Sequence, residues 1–202
     1  MVYGQARAEP RAGSSRGALD WLVCAGGMVG QVIIIAIDPG PTTSGLVVYD
    51  SETHRVTEAH KGLTEDEALA ALSFNSHADV VAIERVESYG ISGNSLLQTA
   101  EIAGSFRRSA LDLGLDVRWV TRREVCRHLH VSGGSKDAQV RQRLIYDHGG
   151  DVKTAKGVKA EPGPLYGVAG HAWAALAVAV AAVAGCGRGA DRWRSEVPGV
   201  VP

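Results

Sequence analysis

A chain of 202 residues that is 45% hydrophobic and 21% charged suits one folded domain and excludes disorder as its default state. The net charge of −1 excludes a uniformly basic binder of polyanions. Between Gly104 and Arg143, however, nine basic residues stand against four acids, and such local excess is what phosphate binding requires.

Residues 1–30 are rich in Gly, Ala, Ser and Arg without periodicity, and are expected to be a disordered or incidental N-terminal extension. Arg7, Arg11 and Arg16 ahead of an apolar stretch imitate a signal peptide, but Asp20 interrupts that stretch. Met28 offers an alternative start. From residue 31 the signals sharpen, and residues 31–186 read as the folded domain. Residues 32–37 form a β-branched run, the pattern of a strand buried on both faces. Pro39 and Gly40 break it, and residues 44–49 resume as the second strand of a hairpin. Residues 54–62 read as a third strand with a polar face. Thr64 then caps a helix, with Glu67 completing a capping box.

Residues 79–83 are another buried strand, with Glu84 at its end. Residues 88–94 form a loop and residues 95–113 a long helix. In that helix Leu96, Ala100, Ala103 and Phe106 recur at near-helical spacing, a face for the core or for a partner. Residues 116–120 are a short strand, Thr121 caps a helix over 122–129, and a further helix spans 136–147. Residues 149–166 show no apolar period and are expected to be a flexible loop. Residues 171–184 make the last helix, and 187–202 a flexible polar tail. The order implies an α/β layer architecture: a mixed five-stranded sheet, with a hairpin extended by parallel strands, flanked by helices.

No apolar run reaches the roughly 18 residues of a membrane helix, so no membrane association is expected. Cys24, Cys126 and Cys186 are far apart and form no CxxC pair. This argues against a zinc or disulfide scaffold and fits a reducing, cytoplasmic compartment.

Two acids at strand ends carry the chemistry. Asp38 closes an apolar strand before Pro39-Gly40, and Glu84 closes Val80-Val81-Ala82-Ile83. A strand-end Asp often caps the turn that follows, and Arg85 could pair with Glu84. Yet in parallel neighbouring strands both acids would emerge at one sheet end, where a divalent cation with oxygen ligands relieves their repulsion. His171 opens an alanine-rich helix, and Ala174, Ala175 and Val178 on its face offer no polar partner. A metal or a DNA phosphate would provide one.

Four segments in order resemble the RuvC-like Holliday-junction resolvases of phages and prophages, members of the RNase H-like superfamily. They are Ile35-Ala36-Ile37-Asp38-Pro39-Gly40 with Ser44-Gly45; Ala82-Ile83-Glu84 with Ser88-Tyr89-Gly90; Lys136-Asp137 with Arg141-Gln142; and residues 162–167 leading into His171-Ala172-Trp173-Ala174. The resemblance covers residues 32–184 and implies the RNase H-like fold. It also implies a homodimer in DNA recombination and repair that cuts four-way or other branched DNA, in the host cytoplasm if phage-encoded.

By position, Asp38, Glu84 and His171 match the catalytic and metal-binding residues. Ala174 stands where cellular relatives carry a further Asp, so the fourth ligand is open. Glu87 is the nearest candidate, and Asp137 reads more simply as a helix start. Two Mg²⁺ ions about 4 Å apart, with Mn²⁺ as a substitute, would serve phosphodiester hydrolysis. Arg107, Arg108, Arg122, Arg123, Arg127, Lys136, Arg141, Lys153, Lys156 and Lys159 are candidate phosphate contacts, with Tyr89 a candidate wedge into a junction. Solvated charge is the competing reading for these cations.

Two other readings compete. One is a DNA-binding relative without catalysis, which Ala174 suggests. The other is an actin-like ATPase, whose strand and Asp-x-Gly turn look alike but which needs two lobes and a second phosphate loop.

Overall fold

The computed structural model describes residues 31–87, 93–134 and 136–185. Both the expected N-terminal extension and the tail fall outside them, as does Tyr89.

Five strands form the main sheet: β1 (Ile33–Asp38), β2 (Ser44–Asp50), β3 (Arg55–Leu63), β4 (Val80–Glu84) and β5 (Asp116–Val120), in the order β3-β2-β1-β4-β5. β1 to β3 are an antiparallel meander, while β4 and β5 run parallel to β1. The β-branched run of β1 is buried on both faces because the sheet is covered on both. Ile34 and Ala36 enter one core, and Ile35 and Ile37 the other.

The second of these cores is covered by α1 (Glu65–Phe74) and α2 (Asn94–Asp112). Thr64 begins α1 as its composition dictates: its Oγ1 accepts the Glu67 amide, and the Glu67 carboxylate accepts the Thr64 amide at 2.8 Å. The first core is covered by α3 (Arg122–His128), α4 (Asp137–Gly149) and α6 (Ala172–Gly185). Thr121 and Glu124 repeat the capping box at α3. Residues Ala172, Ala175, Leu176, Ala177, Val178 and Ala179 of α6 are all buried. A helix that is apolar all round belongs inside, and α6 lies against β1, β2 and β4 with α3 and α4 also packed on it.

Residues 149–166 are ordered structure, not a flexible loop. Asp151 caps the short helix α5 (Val152–Lys156) by accepting the Lys153 and Thr154 amides at 2.8 and 3.1 Å. A two-stranded ribbon follows, β6 (Gly157–Val158) with β7 (Glu161–Pro162). The segment's buried side chains are Ala155 and Leu165, both fully buried, and the Leu165 amide donates to the Ala155 carbonyl at 2.8 Å. Two buried side chains ten residues apart leave no period to read. Among the described residues no helix is long and apolar enough to cross a membrane, and Cys126 is a buried free thiol.

Candidate active site at the carboxyl edge of the sheet

The register decides the site. β1 and β4 pair in parallel with Ile37 beside Ile83, so the next residues, Asp38 and Glu84, leave the sheet together at its carboxyl edge. Open α/β sheets place their ligands at this edge. Both acids line a cleft of about 270 Å³ together with Pro39, Arg85, Val86, Glu87 and Arg122. Glu87, the expected spare ligand, therefore stands on the same wall.

The two carboxyls are hydrogen-bonded to each other. Burial is the largest influence on both and raises both: Asp38 to about 6 and Glu84 to about 8. The shared hydrogen bond lowers Asp38 and raises Glu84, and the pair together holds protons more tightly than separate carboxyls would. The negative charge of Asp137 raises both acids further, and the Arg122 guanidinium opposes the rise. A pair this short of positive charge holds a proton where a cation would serve.

His171 arrives at the same place by backbone packing. Asp38 is the register partner of Gly45, and a Cβ on Gly45 would lie 2.4 Å from the His171 carbonyl oxygen. Glycine is therefore required there for a close approach of backbone to backbone. The preceding Gly170 sits at φ +52, where a Cβ would press on the Lys61 carbonyl at 2.9 Å. The His171 amide donates to that carbonyl at 3.0 Å. Pinned so, His171 Nδ1 lies 3.9 Å from Asp38 Oδ2, with its side chain well exposed.

Asp137, a weaker ligand candidate from the sequence that could also simply start its helix, lies beside these acids. Its carboxylate accepts from Arg122 at 2.6 Å. A small hollow beside the cleft is lined by Arg122, Asp137, Val140, Arg141, Trp173 and Ala174. The acid facing the Ala174 wall thus comes from α4 instead of α6. No spacing rule connects Asp137 with Glu84; only the fold does.

The basic residues divide. Arg122 and Arg123 open α3 and Lys136 precedes α4, both at the acid edge, with Arg127 one turn on. The Arg141 guanidinium stacks over Trp173 at 4.9 Å in the same layer. Arg107 and Arg108 lie on α2, in the opposite layer, and Arg108 pairs with Asp112 at 2.9 Å. Lys153, Lys156 and Lys159 lie on α5 and the ribbon, which pack at the start of β3, since Val56 donates to Pro164. That is the end of the sheet away from Asp38.

No family model matches the chain, and no curated protein matches it by sequence. Among solved structures it is similar to a Thermus thermophilus RuvC structure, with 18% identity and a TM-score of 0.49 over 74% of this chain and 92% of that one. It is also similar to T. thermophilus RuvC in complex with Holliday junction substrate, with 18% identity and a TM-score of 0.52 over 78% and 96%. The second likeness shows that the chain has the RNase H-like fold of that protein, which the sequence pattern implies.

Proposed function

We propose that this chain is a metal-dependent endodeoxyribonuclease that resolves Holliday junctions or related branched DNA by hydrolysing phosphodiesters. The observation that carries the reading is the Asp38–Glu84 pair: two half-buried, hydrogen-bonded carboxyls at the carboxyl edge of an RNase H-like sheet, with an imidazole 3.9 Å from one of them.

The residues present fit a hard divalent cation. Among the described residues no three His, Cys, Asp or Glu side chains already form a coordination cluster. The nucleus is therefore two carboxylates, and Mg²⁺ tolerates so few protein ligands because it keeps several waters. Asp38 and Glu84 would hold the ion, His171 would join them, and Glu87 or Asp137 would complete the anionic wall. Divalent ions bound there supply charge neutralisation at the phosphate and activation of the attacking water. The chain's own part is positional. Asp38 and Glu84 concentrate negative charge in a partly dry cleft. His171, exposed beside Asp38, can take or return a proton. Arg122, held by Asp137, offers a guanidinium to a phosphate oxygen. The N-termini of α4 and α6 both face this edge, and helix N-termini favour phosphate.

The test is cleavage of a synthetic four-way junction with Mg²⁺ or Mn²⁺. Wild type is expected to cut symmetrically, and Asp38→Asn or Glu84→Gln to lose at least about 10³-fold in rate while still binding the junction, since each removes a charge aimed at the reacting centre. Ala174, which stands where cellular relatives carry an Asp, favours one competing reading, a junction binder without catalysis. Wild type that binds but never cuts in either metal would establish that reading instead.

A further inference from the structure

Tyr49, His54 and His148 meet at the end of the sheet opposite Asp38. Tyr49 pairs with Ile34, four residues from the Asp38–Gly45 pair, which separates the two places by about 13 Å along the strands. The three side chains come from three places in the fold: the end of β2, the turn of residues 51–54, and the last turn of α4. The Tyr49 hydroxyl lies 3.0 Å from His54 Nδ1 and 3.3 Å from His148 Nε2. Ring centroids stand 6.2 to 6.5 Å apart, with the two imidazoles nearly perpendicular at 84°.

The hydrogen bonds fix the tautomers. His148 Nδ1 donates to the Leu144 carbonyl at 2.9 Å, which leaves Nε2 as the lone-pair nitrogen aimed at Tyr49. Tyr49 O–H donates to it, and His54 Nδ1–H donates to the Tyr49 oxygen. An imidazole held through its other nitrogen by a backbone carbonyl is how metal-binding histidines are oriented. His54 also sits at φ +53, a backbone region few non-glycine residues adopt, and that turn brings its ring onto Tyr49. Burial and the charge of Asp50 hold the Tyr49 phenol up at about 12, and Asp147 lies near His148.

We propose that Tyr49, His54 and His148 form a binding site for a borderline transition-metal ion of the Zn²⁺, Ni²⁺ and Cu²⁺ class, separate from the carboxylate edge. Two imidazole nitrogens and a phenol oxygen suit these ions, whereas Mg²⁺ demands oxygen ligands. Donors about 2.0–2.1 Å from a tetrahedral ion stand about 3.3 Å from each other, and the Tyr49 oxygen already stands 3.0 and 3.3 Å from the two imidazole nitrogens. On binding, the Tyr49 proton passes to solvent and its phenolate oxygen takes the ion. His54 exchanges its Nδ1 proton for one on Nε2 through solvent, and His148 keeps its tautomer, so one proton leaves per ion. The bound ion would staple the β2–β3 turn to the C-terminal turn of α4.

The experiment uses the full chain carrying Asp38→Asn and Glu84→Gln, so that the carboxylate edge does not compete. After chelation, Zn²⁺, Cu²⁺ and Mg²⁺ are added singly. Expected are one equivalent of Cu²⁺ bound with a phenolate-to-copper absorption band, a rise in Tm with Zn²⁺, and no rise with Mg²⁺. Tyr49→Phe should abolish the band. His54→Gly, which suits the turn's positive φ and so preserves the fold, should weaken Zn²⁺ binding at least tenfold. If His54→Gly and Tyr49→Phe keep the full Zn²⁺ response, the ion binds elsewhere and the proposal fails. If neither Zn²⁺ nor Cu²⁺ binds, the cluster is only a hydrogen-bond network and the proposal fails equally. Neither outcome bears on junction cleavage.

Discussion

Asp38 and Glu84 bind protons more tightly in the folded chain than in the unfolded one, the reverse of most surface carboxylates. Their contribution to stability is therefore fully present below pH of about 4 and is lost as pH rises through about 6 and about 8. Every tenfold gain in proton affinity on folding corresponds to about 1.4 kcal/mol, so the loss over that window is on the order of a few kcal/mol. Thermal melts in a chelator should show Tm falling from pH 5 to 8.5, and Glu84→Gln should flatten the fall. Added Mg²⁺ should raise Tm more at pH 8 than at pH 5, because protons and cations compete for the same oxygens. A Mg²⁺ effect independent of pH would place the ion away from this pair. At this scale the sequence is informative: an acid closing a buried strand, found twice, marks both residues before any coordinates. Asp137 is only faintly legible, because an exposed Asp at a helix start is a commonplace cap, and its partnership with Arg122 exists only once α3 and α4 pack.

Elements explain why His171 is where it is. The close contact between Gly45 and the His171 carbonyl means that β2 and the segment before α6 share one thickness of backbone. Gly45→Ala is expected to cost about 1–3 kcal/mol, the range for overpacking, and to lower junction cleavage with it. Wild-type Tm together with wild-type cleavage in that variant would show the contact to be slack. The central strands are readable from continuous apolar runs, and helices α1 and α3 from capping boxes at Thr64 and Thr121. Residues 149–166 are not readable, because their order rests on an Asp151 cap and two buried side chains instead of on a repeating face. The long helix α2 is half legible. Of the expected face, Ala103 and Phe106 are buried, but Leu96 is half-buried and Ala100 exposed, and Leu97 beside them is 57% exposed.

For the whole molecule, the proposed symmetric cutting requires a pair of chains, and we expect the exposed Leu97 near the start of α2 to lie in the contact between them. Leu97→Glu should convert a dimer into a monomer in light scattering, and leave four-way junctions nicked on one strand instead of resolved. A dimer that survives the change would move the contact elsewhere. The separation of cations by sheet end also has a consequence for the length of nucleic acid that the proposed function would engage. On the proposed nuclease reading, a duplex running from the arginines near the acids would travel the length of α4, thirteen residues or about 20 Å, before it met Lys153, Lys156 and Lys159. At about 3.4 Å per base pair, that is roughly six pairs. Junction arms shorter than this should bind with a shallow salt dependence set by the arginines alone, and longer arms should steepen it.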